Sequence, residues 1–205
     1  MLNLMMKDKL PSVFYNQFLP NLNLLVFCIL LTYKRYSPLL VGVSLFILYF
    51  YSYFVHRLFH SLPSIINLHT NLHHNKQFNS TKIKQILNLF LELFTNVLFF
   101  VIFYYVQKIL FNHNYIPEIV IFYYGFIYTT IHIINYSIIH TSPAHTLHHT
   151  TSEQLDTKCC NYGPDLVDHI FNTNCNNEIE NYNHIIPNTI LSFLITYYIY
   201  KPKLF

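Results

Sequence analysis

An all-α integral membrane fold, built from two transmembrane helical hairpins, is predicted by three observations: a shortage of charge, four long apolar stretches, and two polar, histidine-rich segments that follow the hairpins. The chain has 205 residues, of which 53% are hydrophobic and 10% charged. An ordinary soluble domain carries about a quarter charged residues, so the deficit points to the bilayer as solvent. Aromatic residues make up 18%, all Tyr and Phe with no Trp, and any interfacial belt must rely on Tyr. The formal charge of +3 is small and spread out, with no basic run, which argues against nucleic acid as a partner.

The first apolar stretch runs from about Phe18 to Tyr33 and is short for a span. The second, Leu39 to Val55, is near the lower length limit of about 17 residues. Only Tyr33 to Pro38 separates them, which suits a tight helical hairpin. Two further stretches, about Ile86 to Val106 and Ile119 to Ile139, are each close to the roughly 20 residues a span needs and form a second hairpin. A final apolar stretch, Ile185 to Tyr200, is short and interrupted by Pro187, and is expected to be re-entrant or to lie on the surface. One domain over residues 1–205 is expected, with a histidine-bearing core at about 39–184. The N-terminus lacks the apolar core and small-residue cleavage site of a signal peptide. Cys28, Cys159, Cys160 and Cys175 form no CxxC pair and no disulfide framework, and read as reduced thiols.

The segments His56 to Gln85 and Ile139 to His184 are too long for simple turns. If both lie on one side, so do the termini. Nine Lys and Arg residues then share the histidine side, against Lys34, Arg35 and Lys108 opposite. The positive-inside rule places that side in the cytosol.

Most of the thirteen histidines fall into three groups. The first is His56-Arg-Leu-Phe-His60, where four-residue spacing on a helix turns both rings the same way. The second is His69-Thr-Asn-Leu-His73-His74, and the third is His145-Thr-Leu-His148-His149. An apolar surface gains nothing from so many polar rings unless something ligates them. Neutral imidazole suits Fe, Zn, Cu and Ni, so the ligand type does not choose the metal, but eight rings imply two ions. There is no His-Glu-x-x-His, which removes the usual zinc peptidase arrangement. No Ser, Cys or Asp is spaced as a nucleophile with its own base. Redox work on an unactivated C–H bond fits what is left, since it needs ligands and a dry pocket and no protein acid.

The pattern HxxxH, HxxxHH, HxxHH resembles the membrane desaturase and hydroxylase superfamily. Downstream, His145–His149 is followed by Asn161-Tyr162-Gly163 and then Asp168-His-Ile-Phe171-Asn-Thr173. This arrangement is similar to the fatty acid hydroxylase and sterol desaturase family, in which a third box precedes NYG and a WDxxFGT-like segment. Val167 stands where the family often has Trp and Asn172 where it has Gly, and the second box has one extra residue. These departures bear on subfamily and substrate more than on the metal site.

The resemblance implies four spans under a cytosolic helical cap that holds a di-metal centre. Its ligands would be His56, His60, His69, His73, His74, His145, His148 and His149, joined by a histidine between the last span and the third box. His140 is the expected one. His132 is a further candidate as an ionisable group within a span, although eight residues along a helix rotate it by about 80° from His140. His184 is another possible ligand. Asn161, Tyr162, Asp168 and His169 are expected to orient ligands without binding metal, and Gly163 to turn the backbone before Pro164. Glu92 in the third span would be costly facing lipid and is expected to pair inside the bundle.

The implied cofactor is two iron ions, with zinc as a possible substitute. The implied activity is hydroxylation or desaturation of a membrane lipid, fatty acyl or sterol, with dioxygen. Electrons would come from a separate b-type cytochrome and reductase, since the chain has no haem, flavin or nicotinamide motif. Lys201-Pro-Lys203-Leu-Phe is similar to a cytosolic dilysine retrieval signal, which suggests the endoplasmic reticulum. Two other readings stay open: a polytopic zinc-binding or metal-transport protein, and a catalytically inactive scaffold of the same family.

Overall fold

The computed structural model describes residues 10–63, 65, 69, 71, 74, 80–151, 161–174 and 179–204. Among these there is no strand. Helix α1 covers Leu10–Thr32, α2 Pro38–Ser61, α3 Lys82–Phe111 and α4 Glu118–Thr130. A π-helical segment, Ile131–Ile138, continues α4. Short helices α5, Pro143–Thr151, and α6, Asp165–Phe171, follow. A 3₁₀ turn at Tyr182–Ile185 leads into α7, Ile186–Leu204.

Four helices are long and apolar enough to cross a membrane, as the hairpin pattern predicts: Pro11–Thr32, Pro38–Ser61, Lys82–Phe111 and Glu118–Ile138. The protein is therefore a multi-pass membrane protein. All but the last are longer than the apolar stretches alone suggest. α1 begins eight residues before Phe18 and runs through Pro20, whose missing N–H costs about 3 kcal/mol in a helix interior. Burial of Leu24, Cys28 and Leu31 in the core offsets that cost. α2 starts at Pro38, where a fixed φ suits the first helical position, and Ser37 caps Leu40 N–H. It continues past Val55 through His60, so the first histidine group is the end of the span itself.

The core lies between α1, α2 and α4, with Val41, Leu45 and Leu48 packed on Val120, Tyr123, Tyr124 and Ile127. α4 is central: 61% of its span is buried, against 17% for α3. The outer face of α3 shows Phe90, Phe94, Ile102 and Leu110, an apolar surface that lipid would cover. Gln107 closes the second hairpin by bonding both the N–H and the carbonyl of Ile116, at 3.1 and 2.9 Å.

The final apolar stretch is neither re-entrant nor on the surface. α7 packs along α4 and α1, and Thr189, Ser192 and Thr196 are fully buried in that contact. Pro187 falls in its first turn, where no intrahelical N–H is needed. Thr189 and Thr196 return their hydroxyls to the carbonyls of Ile186 and Ser192, while the Ser192 hydroxyl lies 3.5 Å from that of Thr130 on α4. The far end of α7 is tied to the start of α4 by a 2.7 Å bond from Tyr200 Oη to Glu118. The start of α4 lies beside the two hairpin turns, whose residues Tyr36, Asn112 and Tyr115 line one open cavity. The end of the chain thus lies opposite the histidines, and the expectation that it shares their side is corrected.

Candidate metal centre

Three elements deliver the rings. α2 carries His56 and His60 one turn apart, with their Nε2 atoms 3.3 Å from each other. His69 and His74 are linked by a backbone bond from His74 N–H to the His69 carbonyl at 3.3 Å, a five-residue spacing that turns both rings inward. α5 supplies His148, which is completely buried. The ligand atoms of His56, His60, His69, His74 and His148 all lie within 4.8 Å of one another.

Hydrogen bonding among the rings does not account for this convergence. His56 Nδ1 lies 2.7 Å from the Tyr162 carbonyl, which can only accept, so Nδ1 carries the proton and Nε2 of the neutral ring is a lone pair. That Nε2 lies 3.2 Å from His69 Nε2 and 3.3 Å from His60 Nε2, and those two are 3.2 Å apart. His74 Nε2 adds a fourth contact at 3.1 Å from His69. Each neutral ring has one N–H, and it cannot serve several edges of a closed triangle. A single cation can: metal–nitrogen bonds of about 2.0–2.1 Å place neighbouring ligands about 3.0–3.4 Å apart. The donor set fits a metal.

A second group adjoins the first. His145 and His149, one turn apart on α5, have their Nε2 atoms 2.8 Å apart. His149 stacks on His74 with ring centroids at 4.3 Å. His132, on the π segment, lies 5.5 Å from His145 and 6.1 Å from His56 between centroids, with Nδ1 held by the Tyr128 carbonyl at 3.2 Å. His132, at the start of the π segment, thus lies on the metal side.

Burial first, and neighbouring rings second, hold His148 well below the ordinary histidine pKa and bring His149 down to about 4. These rings are neutral at physiological pH, the state that ligates.

The other expected residues divide. His140, at positive φ, is exposed and outside the five-ring group, although near enough to His149 to lower its pKa. His184 bonds the Asn181 carbonyl through Nδ1, and Tyr136 stands between it and His145. His73 lies outside the described residues. His113 is exposed in the far turn. Of the cysteines, Cys28 is free and buried, and the other three lie outside the described residues.

The Asn161–Gly163 loop supports the centre through backbone. Asp168 accepts from Tyr162 N–H at 2.9 Å, from Gly163 N–H, and from the Thr173 hydroxyl at 2.6 Å. Burial nevertheless pushes its pKa up to about 7. The loop so held points the Tyr162 carbonyl at His56, while Asn161 bonds the Ala144 carbonyl on α5 at 3.0 Å. Gly163 has φ +57°, the left-handed region that favours glycine. His169 belongs to another contact, 3.4 Å from Asp165. Asp165 in turn accepts from Gln17 of α1 at 3.1 Å.

Two cavities meet at the rings, sharing His56, His132 and Tyr128 in their walls. One contains Asp165, Asp168, Glu180 and Tyr182. The other, of about 200 Å³, lies between α2, α3 and α4. Gln17, Asp165 and Glu180 have no mark in the sequence, because single polar residues carry no spacing signal.

A helical membrane bundle with clustered imidazoles at one end defines a class of polytopic metal-binding proteins. Within it the chain belongs to the fatty acid hydroxylase family, whose profile matches residues 41–173, from α2 to Thr173. That family is metal-dependent and generally oxidoreductase in activity. Neither curated proteins nor solved structures give a match.

Proposed function

We propose that the protein is a membrane di-iron oxygenase that hydroxylates or desaturates a lipid, using dioxygen and electrons from a separate b-type cytochrome and reductase. The convergence of five imidazole nitrogens beside a cavity within the membrane bundle carries this reading. Iron bound there would supply the redox chemistry for attack on a C–H bond.

His56, His60, His69, His74 and His148 would hold one ion. His145, His149 and His132 would hold the second, with His73, His140 and His184 as the additional candidates. Asp168 and the Tyr162 carbonyl keep His56 in the tautomer that offers Nε2. Phe59, Phe99 and Phe100 line the cavity with apolar surface, which excludes water and admits a lipid chain.

The histidine end faces the cytosol in this reading, where the electron donors reside. With Lys201 and Lys203 moved to the opposite end, the cationic count is seven against five and still favours that orientation. A dilysine signal at the opposite end would not be read from the cytosol, so an endoplasmic reticulum location rests on the lipid chemistry alone.

Lipid profiling of cells expressing the wild type, His148→Ala and His149→Ala tests the function. A new oxygenated or unsaturated lipid is expected only with the wild type and only with dioxygen. Identical profiles in all three, or a product that persists without dioxygen, would overturn the reading.

A further inference from the structure

Glu92 sits inside a membrane-spanning helix, an expensive place for a carboxyl group. It is 7% exposed, and Oε2 accepts a hydrogen bond from Ser137 on the π segment at 3.0 Å. Asn88 and Asn96 stand one turn before and one turn after it, on the same face of α3. Asn88 is buried, and Asn96 has a buried Nδ2 that no protein acceptor reaches. All three line the 200 Å³ cavity that also contains His56 and His69.

The remaining wall is largely apolar, with Val55, Leu91 and Phe99 among its residues. A plain alkyl chain in this space would cover the Asn96 amide without returning a hydrogen bond, at a desolvation cost. A hydroxyl group both donates and accepts. It can donate to the Glu92 carboxyl or an Asn Oδ1 while accepting from Asn96 Nδ2.

We propose that Asn88, Glu92 and Asn96 recognise a hydroxyl group on the lipid that enters this cavity, so that the substrate is a lipid already hydroxylated within reach of the metal-binding rings. This deepens the function proposed above and rests on it for the choice of a lipid as occupant. Hydroxyls of a sterol and of a ceramide share the required chemistry.

Binding to the purified, metal-loaded protein in detergent separates these sources. The probes are cholesterol against cholest-5-ene, and N-palmitoyl-sphingosine against its analogue with both hydroxyls removed. The wild type is expected to bind the hydroxylated member of one pair about tenfold more tightly, the size of effect one buried hydrogen bond supports. The preferred pair identifies the lipid source. Glu92→Leu and Asn96→Leu should each bring the preference within about twofold, while Phe94→Ala on the exposed face of the same helix leaves it intact. If Glu92→Leu fails to fold, Asn96→Leu decides. No preference in either pair, or a preference that survives both substitutions, would overturn the inference. A preference without any oxygenated product in cells would sink the oxygenase reading and leave hydroxyl recognition standing; oxygenation of plain acyl chains with no preference would do the reverse.

Discussion

His148 is the most completely buried ring of the five and has no solvent to replace a lost ligand. His148→Ala should reduce bound metal sharply, as read by metal content per purified chain, while His113→Ala in the far turn should leave it unchanged. Asp168 acts one step further out, through the Tyr162 loop. Asp168→Ala should weaken metal affinity about 10–100-fold in a chelator competition, with every imidazole still present. Glu180 gives a pH signature. Burial pushes its pKa up to about 7, and Oε1 is buried without a hydrogen-bond partner. Because the folded pKa is the higher one, the folded state keeps a proton that the unfolded chain gives up between about pH 4.5 and 7. The buried charge therefore costs stability above pH 7, and that cost vanishes on acidification. Glu180→Gln should melt a few degrees above the wild type at pH 8, with the gap closing by pH 5. A constant gap would contradict this account.

At the scale of elements, α4 is the helix on which the others pack, and it meets α3 tightly at Gly125. A Cβ there would lie 2.9 Å from Phe100 Cγ on α3, near the stiff base of that side chain. Gly125→Val should force the two spans apart at a cost of about 1–3 kcal/mol, seen as a melting point several degrees lower in detergent. The π segment is the other decisive element. It includes a bond from Ile139 N–H to the Ile134 carbonyl at 2.9 Å, and it carries His132 at its start toward the histidines and Ser137 near its end toward Glu92.

At the scale of the molecule, the arrangement separates two ends. The histidines, the Asn161–Gly163 loop and the start of α7 lie at one; the hairpin turns, Glu118 and Tyr200 lie at the other. Single cysteines report this directly. With a membrane-impermeant thiol reagent, His113→Cys and Lys201→Cys should label from the same side, and Ser61→Cys from the other. Labelling of Lys201→Cys together with Ser61→Cys would restore the chain end to the histidine side.

Helical class, the two hairpins and the identity of the clustered rings were legible in the sequence, because bilayer thickness sets the length of an apolar run and helical repeat sets the spacing of ligands on one face. The resemblance through Asn161-Tyr162-Gly163 likewise agrees with the family match. Packing alone decided the rest. α7 is short and interrupted as a sequence, and it enters the bundle because Thr189 and Thr196 bond to its own carbonyls and Ser192 meets Thr130, so that small side chains let α1 and α4 come close. His69 pairs with His74 through a five-residue turn, and His140 stands outside the five-ring group, since a local change in helical pitch carries no mark in residue spacing. The row from Asn88 to Asn96 acquires meaning only where the fold lays it along the same cavity as His56 and His69, residues from three separate segments that no linear pattern connects.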